Sequence, residues 1–517
     1  MSNRTNILLV VLDSVRARNT SLHGYERETT PFLSSFADRS TVYTQARAPG
    51  THSIASHVSI FTGAHVEEHR ARKHIAQIDP SRTVWRQLQT EFDYNTGLFT
   101  NNRIVSNASN LADAFEHVHE PDYPLAKRLE NHVDGTVLKR AYFRGYDGLA
   151  RLSAALGTSE PSDDPETAAV DTQERPERQG NEGTAGDTGP FGGLSARLAA
   201  GAGRVAEATG LSEFGADSGY KTLHGGNFTD AFLSWADRQT GPWAACLNLM
   251  DAHSPYEPTA EFDHWADPTH WQAQAEKPSV RETLGGRGWD QLAALEPLYD
   301  GAIRQTDDIL RNLVADLEQR GELSETLLVI TSDHGEAFGE RSRLAPAVRL
   351  RDHKWGVPEV LTHVPLVVSY PDQQEGRLVE AAVSLTDTPT LLRTATTGET
   401  EPDPLRNGEP VLSSTFLLPE EKVAKYSSVD DIERYVGPWR AVYETRDGVV
   451  RKYARKGDHG LTLDIEATGA VTEVARDDDG RVAEVYGELT DADLVTPETG
   501  EIDDDLEQQL EDLGYIR

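Results

Sequence analysis

The chain has 517 residues, with 85 Asp and Glu against 50 Lys and Arg, so its formal net charge is −35. A chain this acidic repels phosphate backbones, which argues against nucleic acid as a partner. The length suits a large catalytic domain with a smaller domain beside it. The single cysteine, Cys246, excludes an internal disulfide bond and any metal site built from several cysteines.

The acidic residues are spread along the whole chain, and lysine is scarce, with ten Lys against forty Arg. This distribution is typical of a protein kept soluble in concentrated salt, and it predicts a halophilic archaeal protein. An ordinary acidic protein is the alternative. No apolar run has the length of a membrane span, and the N-terminal run is too short for the core of a signal peptide. We therefore predict a cytoplasmic location.

Short apolar runs alternate with helical patterns along the chain. The first run, "NILLVVLD" at 6–13, predicts a strand buried on both faces. Later runs of the same kind lie at 94–100, 241–251, 325–333 and 363–370. Segment 295–321 has apolar residues at three- and four-residue spacing, which predicts a helix. The sequence thus predicts an α/β fold with a mostly parallel central sheet flanked by helices.

Two segments depart from this alternation. A catalytic domain at 1–400 is predicted to be interrupted by an insertion at about 125–215. The middle of the insertion, 157–190, has no aromatic residue and little aliphatic content, so it is predicted to be disordered. Residues 405–517 contain short alternating runs, which predict a smaller C-terminal α+β subdomain of antiparallel strands, closed by a helix.

Polar residues stand where the predicted strands end. Asp13 ends the first strand, Asp333 and His334 end a later one, and His253 follows a third. Carboxylate oxygens and imidazole nitrogens suit a divalent cation, and the carboxyl ends of parallel strands meet at one edge. For the aspartates the alternative is a helix cap, and for His253 a place in a surface loop.

A hydroxyl and a lysine complete a chemical set with these residues. Ser53 opens the stretch "SIASHVSIFTG", and Lys354 precedes the last predicted core strand. A cation can lower the pKa of a hydroxyl and polarise an anionic ester. Imidazoles and a lysine can hold the ester oxygens and protonate the leaving group. The set therefore favours attack on a phosphate or sulfate ester.

Five segments, taken in order, resemble the sulfatase family of the alkaline phosphatase superfamily. They are "NILLVVLDSVRARNTSLHGYERETTPFLSSFA", "APGTHSIASHVSIFTG", "DAHSPYEP", "TSDHGEAFGE" and "HKWGVPEVLTHVPLVV". The resemblance implies an alkaline phosphatase-like fold and one divalent metal ion, which could be Ca, Mg, Mn or Zn. The residues that it implies are the metal ligands Asp13, Asp333, His334 and Ser53, the catalytic residues Ser53, His253 and Lys354, and the substrate-binding residues His57, His353 and Arg16.

The chain departs from the usual sulfatase pattern at two positions. Sulfatases carry Cys or Ser in C/S-x-P/A-x-R, and that residue is oxidised to formylglycine. Here the window runs from Ser53 to His57, and His57 replaces the Arg that the modifying enzyme recognises. Ser14 replaces the second Asp that sulfatases have after the first. Both changes resemble the phosphoglycerol transferase branch, so we predict that Ser53 attacks phosphorus as an unmodified hydroxyl.

The sequence thus predicts a metal-dependent hydrolase or transferase that cleaves a phosphate or sulfate ester, with the phosphate ester favoured. The ester would belong to a small molecule, a glycan or a lipid headgroup, and no nucleic acid or transmembrane segment is expected. Two alternatives stay open: a true sulfatase with a modified Ser53, and a non-catalytic binder of anionic glycans or lipids. The oligomeric state is not indicated.

Overall fold

The computed structural model describes residues 4–73, 75–120, 224–397, 405, 410–416, 426, 429, 431–466 and 469–499. The predicted insertion at 125–215 and the predicted helix at the end of the chain lie outside these residues. Within the described part, no helix is both long enough and apolar enough to cross a bilayer.

Strands and helices alternate through the first three quarters of the described chain. The strands are β1 (Asn6–Leu12), β2 (Thr41–Arg47), β3 (Ala76–Ile78), β4 (Asn95–Thr100), β5 (His117–His119), β6 (Trp243–Leu249), β7 (Thr326–Thr331), β8 (Ala337–Arg341), β9 (Arg349–Asp352), β10 (Leu366–Ser369), β11 (Arg377–Ser384), β12 (Val411–Thr415), β13 (Trp439–Arg446), β14 (Val449–Lys456), β15 (His459–Ile465), β16 (Val471–Ala475) and β17 (Val495–Thr499). The α-helices are α1 (Pro31–Phe36), α2 (Ser53–Thr62), α3 (Val66–His69), α4 (Val84–Phe92), α5 (Gly225–Ala236), α6 (Pro268–Ala275), α7 (Val280–Leu284), α8 (Trp289–Ala293), α9 (Glu296–Gln319), α10 (Glu359–Thr362), α11 (Thr388–Thr397) and α12 (Arg481–Gly487).

The main sheet has eight strands in the order β11-β2-β10-β7-β1-β6-β4-β5. The strands β7, β1, β6, β4 and β5 pair in parallel, as do β2 and β11. Only β10 runs antiparallel to its neighbours in this sheet, between β2 and β7. The predicted α/β fold with a mostly parallel sheet is confirmed.

The central strand β1 is buried on both faces because its apolar side chains alternate between two cores. Leu8, Val10 and Leu12 join one core with side chains of α5 and α9. Ile7, Leu9 and Val11 join the other with side chains of α2, α4 and α11. Burial of each such side chain stabilises the fold by about 1.5–3 kcal/mol. This explains why the strand is read in the sequence as a continuous apolar run rather than an alternating one.

The C-terminal part forms a separate five-stranded sheet, in the order β12-β13-β14-β15-β16, with every neighbouring pair antiparallel. Asp447 and Gly448, which join β13 to β14, both have positive φ angles, of 51° and 80°. Two successive residues with positive φ form the turn that matches the twist of a hairpin. The predicted small antiparallel sheet is therefore confirmed.

Gly335 follows the end of β7 at a close approach between two segments. A Cβ atom at this position would lie 2.1 Å from the carbonyl oxygen of Val360 in α10. The Gly335 amide donates to the carbonyl of Leu361 at 2.9 Å. The sequence suggests a glycine needed for a sharp turn, whereas the structure requires glycine here because the backbone of α10 leaves no room for a side chain.

We predict that Gly335→Ala lowers the free energy of unfolding by about 3 kcal/mol, because the contacting atom belongs to the backbone and cannot move alone. The shift of the urea midpoint measures the loss. Gly487→Ala is the matched control, since a Cβ there meets nothing within 4 Å, and its effect should stay within about 0.5 kcal/mol. Equal midpoints for the two variants would contradict the close approach.

Candidate functional site

Three of the residues predicted to bind a metal lie at the ends of two neighbouring strands. Asp13 follows β1, whereas Asp333 and His334 come just after β7. The two strands are parallel neighbours, so both end at the same edge of the sheet. The carboxylate oxygens and the imidazole nitrogen of the three residues lie within 4.8 Å of one another, and all three residues are buried. The structure thus brings the predicted set together.

This cluster offers the donors that a divalent cation needs. Asp333 Oδ2 and His334 Nε2 are buried, and within the described residues neither has a hydrogen-bond partner. His334 Nδ1 donates to the carbonyl of Gly335 at 2.9 Å, so Nε2 of the neutral ring carries the lone pair. Oxygen and nitrogen donors of this kind bind divalent cations in proteins. The residues therefore fit one such cation.

Burial and mutual repulsion oppose the ionisation of the two carboxylates. Burial, together with the nearby Asp13, raises the pKa of Asp333. Burial alone would also raise the pKa of Asp13, but nearby histidines, with His253 first, outweigh it and lower that pKa. Two carboxylates at this separation are both ionised only when positive charge lies close to them. A bound cation would provide that charge.

The Asp13 carboxylate is held on both of its oxygens. Asn102 Nδ2 donates to Asp13 Oδ2 at 2.9 Å, and Ser14 Oγ donates to Asp13 Oδ1 at 3.0 Å. The Ser14 amide also donates to Asp333 Oδ1 at 3.2 Å, with Ser14 in the left-handed region at φ 65°. Ser14, where sulfatases have a second Asp, therefore links the two carboxylates through hydrogen bonds.

Ser53 is the first residue of α2, and its Oγ donates to Asp13 Oδ2 at 3.4 Å. His57 lies one turn further along the same helix and is fully buried. Its Nδ1 donates to the Ser53 carbonyl at 2.9 Å and lies 3.6 Å from Asp333 Oδ2. Both residues thus border the carboxylate cluster, with the predicted nucleophile beside a predicted metal ligand.

Three imidazole rings lie side by side, and the first of them belongs to His334 of the cluster. The rings of His334 and His353 have centroids 4.5 Å apart, and those of His353 and His253 lie 5.5 Å apart. His253 Nδ1 donates to the carbonyl of Ser254 at 2.7 Å. His353 Nδ1 lies 3.4 Å from a carboxylate oxygen of the buried Glu336. The predicted residues His253 and His353 are therefore next to the cluster.

Lys354 follows His353 and is half-buried. Burial lowers the pKa of Lys354 to about 8, although the nearby Asp352 acts in the opposite direction. Asp352 itself binds Lys277 at 3.0 Å. Lys354 therefore lies in a group of alternating charges, in which its own lowered pKa allows it to change protonation near pH 8.

The Arg16 side chain makes its polar contacts with other residues of the protein. Its guanidinium binds Glu340 at 2.6 Å and also Glu296, and it donates to the Glu336 carbonyl at 2.9 Å. It lies over the ring of Phe338, with 4.9 Å to the centroid, and the side chain is fully buried. These contacts tie Arg16 to α9 and to the segment that follows β7, and its substrate-binding role stays a prediction.

Sequence reasoning missed Asn102 and Glu336. Asn102 lies just beyond β4, in "FTNN", so it is a polar residue after the carboxyl end of another parallel strand. Glu336 comes two residues after His334, in "SDHGE". The rule that selected Asp13 also selects Asn102, whereas the contact of Glu336 with His353 depends on how the chain folds.

A family model described as Sulfatase matches residues 5–397. Arylsulfatase K of Bos taurus is 31% identical over 103 residues, which cover 20% of this chain and 18% of that protein. Arylsulfatase K of Danio rerio is 30% identical over 104 residues, with the same coverage. The aligned part thus spans less than a fifth of the length of these curated relatives.

Solved structures share the fold over most of the chain. The phosphonate monoester hydrolase of Agrobacterium radiobacter has a TM-score of 0.56 and 16% identity, with 94% of each chain covered. The phosphonate monoester hydrolase of Silicibacter pomeroyi has a TM-score of 0.55 with the same identity and coverage. A 2-O GAG sulfatase has a TM-score of 0.51 and 13% identity, covering 94% of this chain and 90% of that chain. At such identities the likeness concerns the fold alone.

We predict that Asn102→Ala weakens divalent cation binding by about 10- to 100-fold, because Asp13 loses a donor that orients its carboxylate. Calorimetric titration with Mg²⁺, Ca²⁺, Mn²⁺ and Zn²⁺ measures the change. Asn312→Ala is the matched control, since the exposed Asn312 donates to Asp308 at 3.1 Å on the surface of α9. An affinity equal to that of the control would show that Asn102 does not orient the ligand.

Proposed function

The chain belongs to the sulfatase family, and we propose that it is a metal-dependent hydrolase or transferase that cleaves a phosphate or sulfate ester. Ser53 is the proposed nucleophile, and a phosphate ester is the favoured substrate. The observation that carries this proposal is the Ser53 hydroxyl, 3.4 Å from Asp13 in a cluster with unsatisfied buried oxygen and nitrogen atoms. Such a cluster beside a hydroxyl suits nucleophilic attack on an anionic ester.

Asp13, Asp333, His334 and Ser53 would hold the cation. When bound, a divalent cation lowers the pKa of a neighbouring hydroxyl and neutralises charge on an ester. Ser53 Oγ would release its proton to the solvent and form a bond to phosphorus, while the bond between phosphorus and the ester oxygen breaks. Asp13 accepts the Ser53 hydroxyl in a hydrogen bond, which orients Oγ before the attack.

The leaving alcohol needs a proton, which one residue would supply while another holds the ester. Lys354, with its pKa lowered to about 8 by burial, is a suitable proton donor near neutral pH. His253 lies in the row of imidazoles and can hold a free oxygen of the ester. Water, or an acceptor alcohol, then attacks the phosphoserine, which releases phosphate or a new ester and restores Ser53.

The choice of an unmodified serine rests on residues 53–57. His57 occupies the place of the Arg in the modification motif, and its Nδ1 donates a hydrogen bond to the Ser53 carbonyl. A plain hydroxyl is a suitable nucleophile for a phosphoryl group, as in the phosphoglycerol transferase branch that this window resembles. This supports phosphorus over sulfur as the atom attacked.

Turnover of nitrophenyl phosphate and nitrophenyl sulfate, each with and without a chelator in molar salt, tests the function. We expect faster hydrolysis of the phosphate and loss of activity with the chelator. Faster hydrolysis of the sulfate, with formylglycine detected at position 53 by mass spectrometry, would show that the protein is a sulfatase with a modified Ser53. No turnover of either ester, with anion binding retained, would favour the non-catalytic binder.

We predict that Ser53→Ala lowers kcat by about four orders of magnitude or more, because it removes the covalent route. Folding should survive, since the substitution removes one hydroxyl group. Ser56→Ala is the matched control on the same helix, because Ser56 Oγ is buried and, among the described residues, has no hydrogen-bond partner. Near-normal turnover by Ser53→Ala would point to direct attack by water.

We predict that kcat/KM falls as pH rises above about 8, by about tenfold per pH unit, as the Lys354 ammonium loses its proton. Burial places this pKa below the usual value for lysine, so the protonated form is present below about pH 8 and absent well above it. Lys354→Arg keeps its charge at higher pH, so the descending limb should move to higher pH. An unchanged limb in that variant would assign the titration to another group.

A further inference from the structure

A short segment, residues 359–363, contacts the three parts of the chain that carry the predicted metal ligands. We call it the brace segment, and it consists of α10 and the residue after it. Its carbonyls accept three backbone hydrogen bonds, from Gly335 at 2.9 Å, Ala17 at 3.0 Å and Ala48 at 2.8 Å. These donors come from the turns that follow Asp333 and Asp13 and from the segment that precedes Ser53. The brace segment therefore contacts the backbone around every predicted metal ligand.

The C-terminal sheet holds the first residue of the brace segment through an ion pair. Lys452 of β14 is buried, and its Nζ binds Glu359 at 2.9 Å and donates to the Val357 carbonyl. The other Glu359 oxygen lies 2.9 Å from Arg47, which is fully buried at the end of β2. Although burial opposes ionisation, Arg47 and Lys452 keep the pKa of Glu359 at about 2. The two sheets thus share one ionised carboxylate.

Lys452 also contacts the segment that follows Lys354. Val357, whose carbonyl accepts from Lys452, lies three residues after Lys354. Between them, Trp355 Nε1 donates to the Arg349 carbonyl at 2.8 Å, and the Trp355 ring lies 4.8 Å from that of Tyr435. The segment from Lys354 to the brace segment is therefore fixed at both ends.

The same sheet holds the segment before the predicted nucleophile. The Ser414 amide in β12 donates to the Pro49 carbonyl at 3.0 Å. Ser413 Oγ donates to the Ala48 carbonyl at 2.6 Å, and Thr51 Oγ1 donates to Thr415 Oγ1 at 2.8 Å. The C-terminal sheet therefore contacts the chain near the site at two places, through β12 at residues 48–51 and through Lys452 at Val357 and Glu359.

We propose that Lys452 is a positioning residue: the C-terminal sheet sets the geometry of the active site through the ion pair of Lys452 with Glu359. The kinetic part of this proposal rests on the proposed function. The competing interpretation is that Lys452 only stabilises the interface between the two sheets. The two interpretations differ in what happens to the site of a protein that stays folded.

Lys452→Met removes the charge and keeps most of the side-chain volume. We expect kcat for nitrophenyl phosphate to fall about 10- to 100-fold, as for residues that orient metal ligands, with a smaller change in KM. Lys456→Met is the matched control, since Lys456 lies on the same strand and donates to the Glu433 carbonyl at 3.2 Å. Lys452→Arg keeps a cation opposite Glu359 and should recover part of the loss. A kcat equal to that of the control, well below the melting temperature, overturns the proposal.

Glu359→Gln provides a second variant, for use also if Lys452→Met does not fold. It removes the carboxylate that faces both Lys452 and Arg47, so we expect a loss of kcat at least as large as in Lys452→Met. If the two residues act through one ion pair, kcat of the double variant should fall no further than kcat of the more impaired single variant. If the effects of the two substitutions on kcat add up in the double variant, the two residues do not act through one ion pair.

Hydrogen exchange provides a readout that does not depend on turnover. In Lys452→Met we expect faster exchange of the Ala17, Ala48 and Gly335 amides, which donate to the brace segment, and no change in Lys456→Met. Unchanged exchange in Lys452→Met overturns the proposal. If the wild-type protein hydrolyses neither ester, the proposed function fails, and exchange alone then decides whether Lys452 positions these segments.

Discussion

The burial of two carboxylates, Asp13 and Asp333, at the ends of neighbouring parallel strands is the constraint on which the site depends. The strands β1 and β7 are buried on both faces, so the side chains that follow them enter a region with little water. Two negative charges in such a region repel each other strongly unless positive charge lies close by. The surrounding histidines and the unsatisfied atoms of Asp333 and His334 are consistent with a site completed by a cation.

The backbone around these carboxylates is held by close contacts. A cation requires its ligands at fixed short distances, so the turns that carry them must not drift. Gly335 packs against the backbone of α10 with no room for a side chain, and Asn102 and Ser14 hold both oxygens of Asp13. The second sheet extends this support through Glu359, which lies between cations from both sheets.

High salt would weaken ion pairs on the surface more than buried ion pairs. At about 1 M salt the screening length is roughly 3 Å, so exposed pairs such as Arg70 with Asp491 contribute little. Arg16 with Glu340, and Lys452 with Glu359, each include a fully or nearly fully buried cation, and they are screened much less.

The sequence alone determined the architecture and which polar residues follow the strands, because buried parallel strands need continuous apolar runs and the polar residues at their ends stand out against them. It identified β1, β4, β6, β7 and β10 as strands, and it selected Asp13, Asp333, His334 and Ser53 before any distance was known. Tertiary structure decided the antiparallel direction of β10, the inward contacts of Arg16 and the use of Gly335 for close packing. It also decided the contacts of Asn102 with Asp13 and of Lys452 with Glu359. These features depend on contacts between separate segments of the chain, and local sequence patterns carry no record of such pairings.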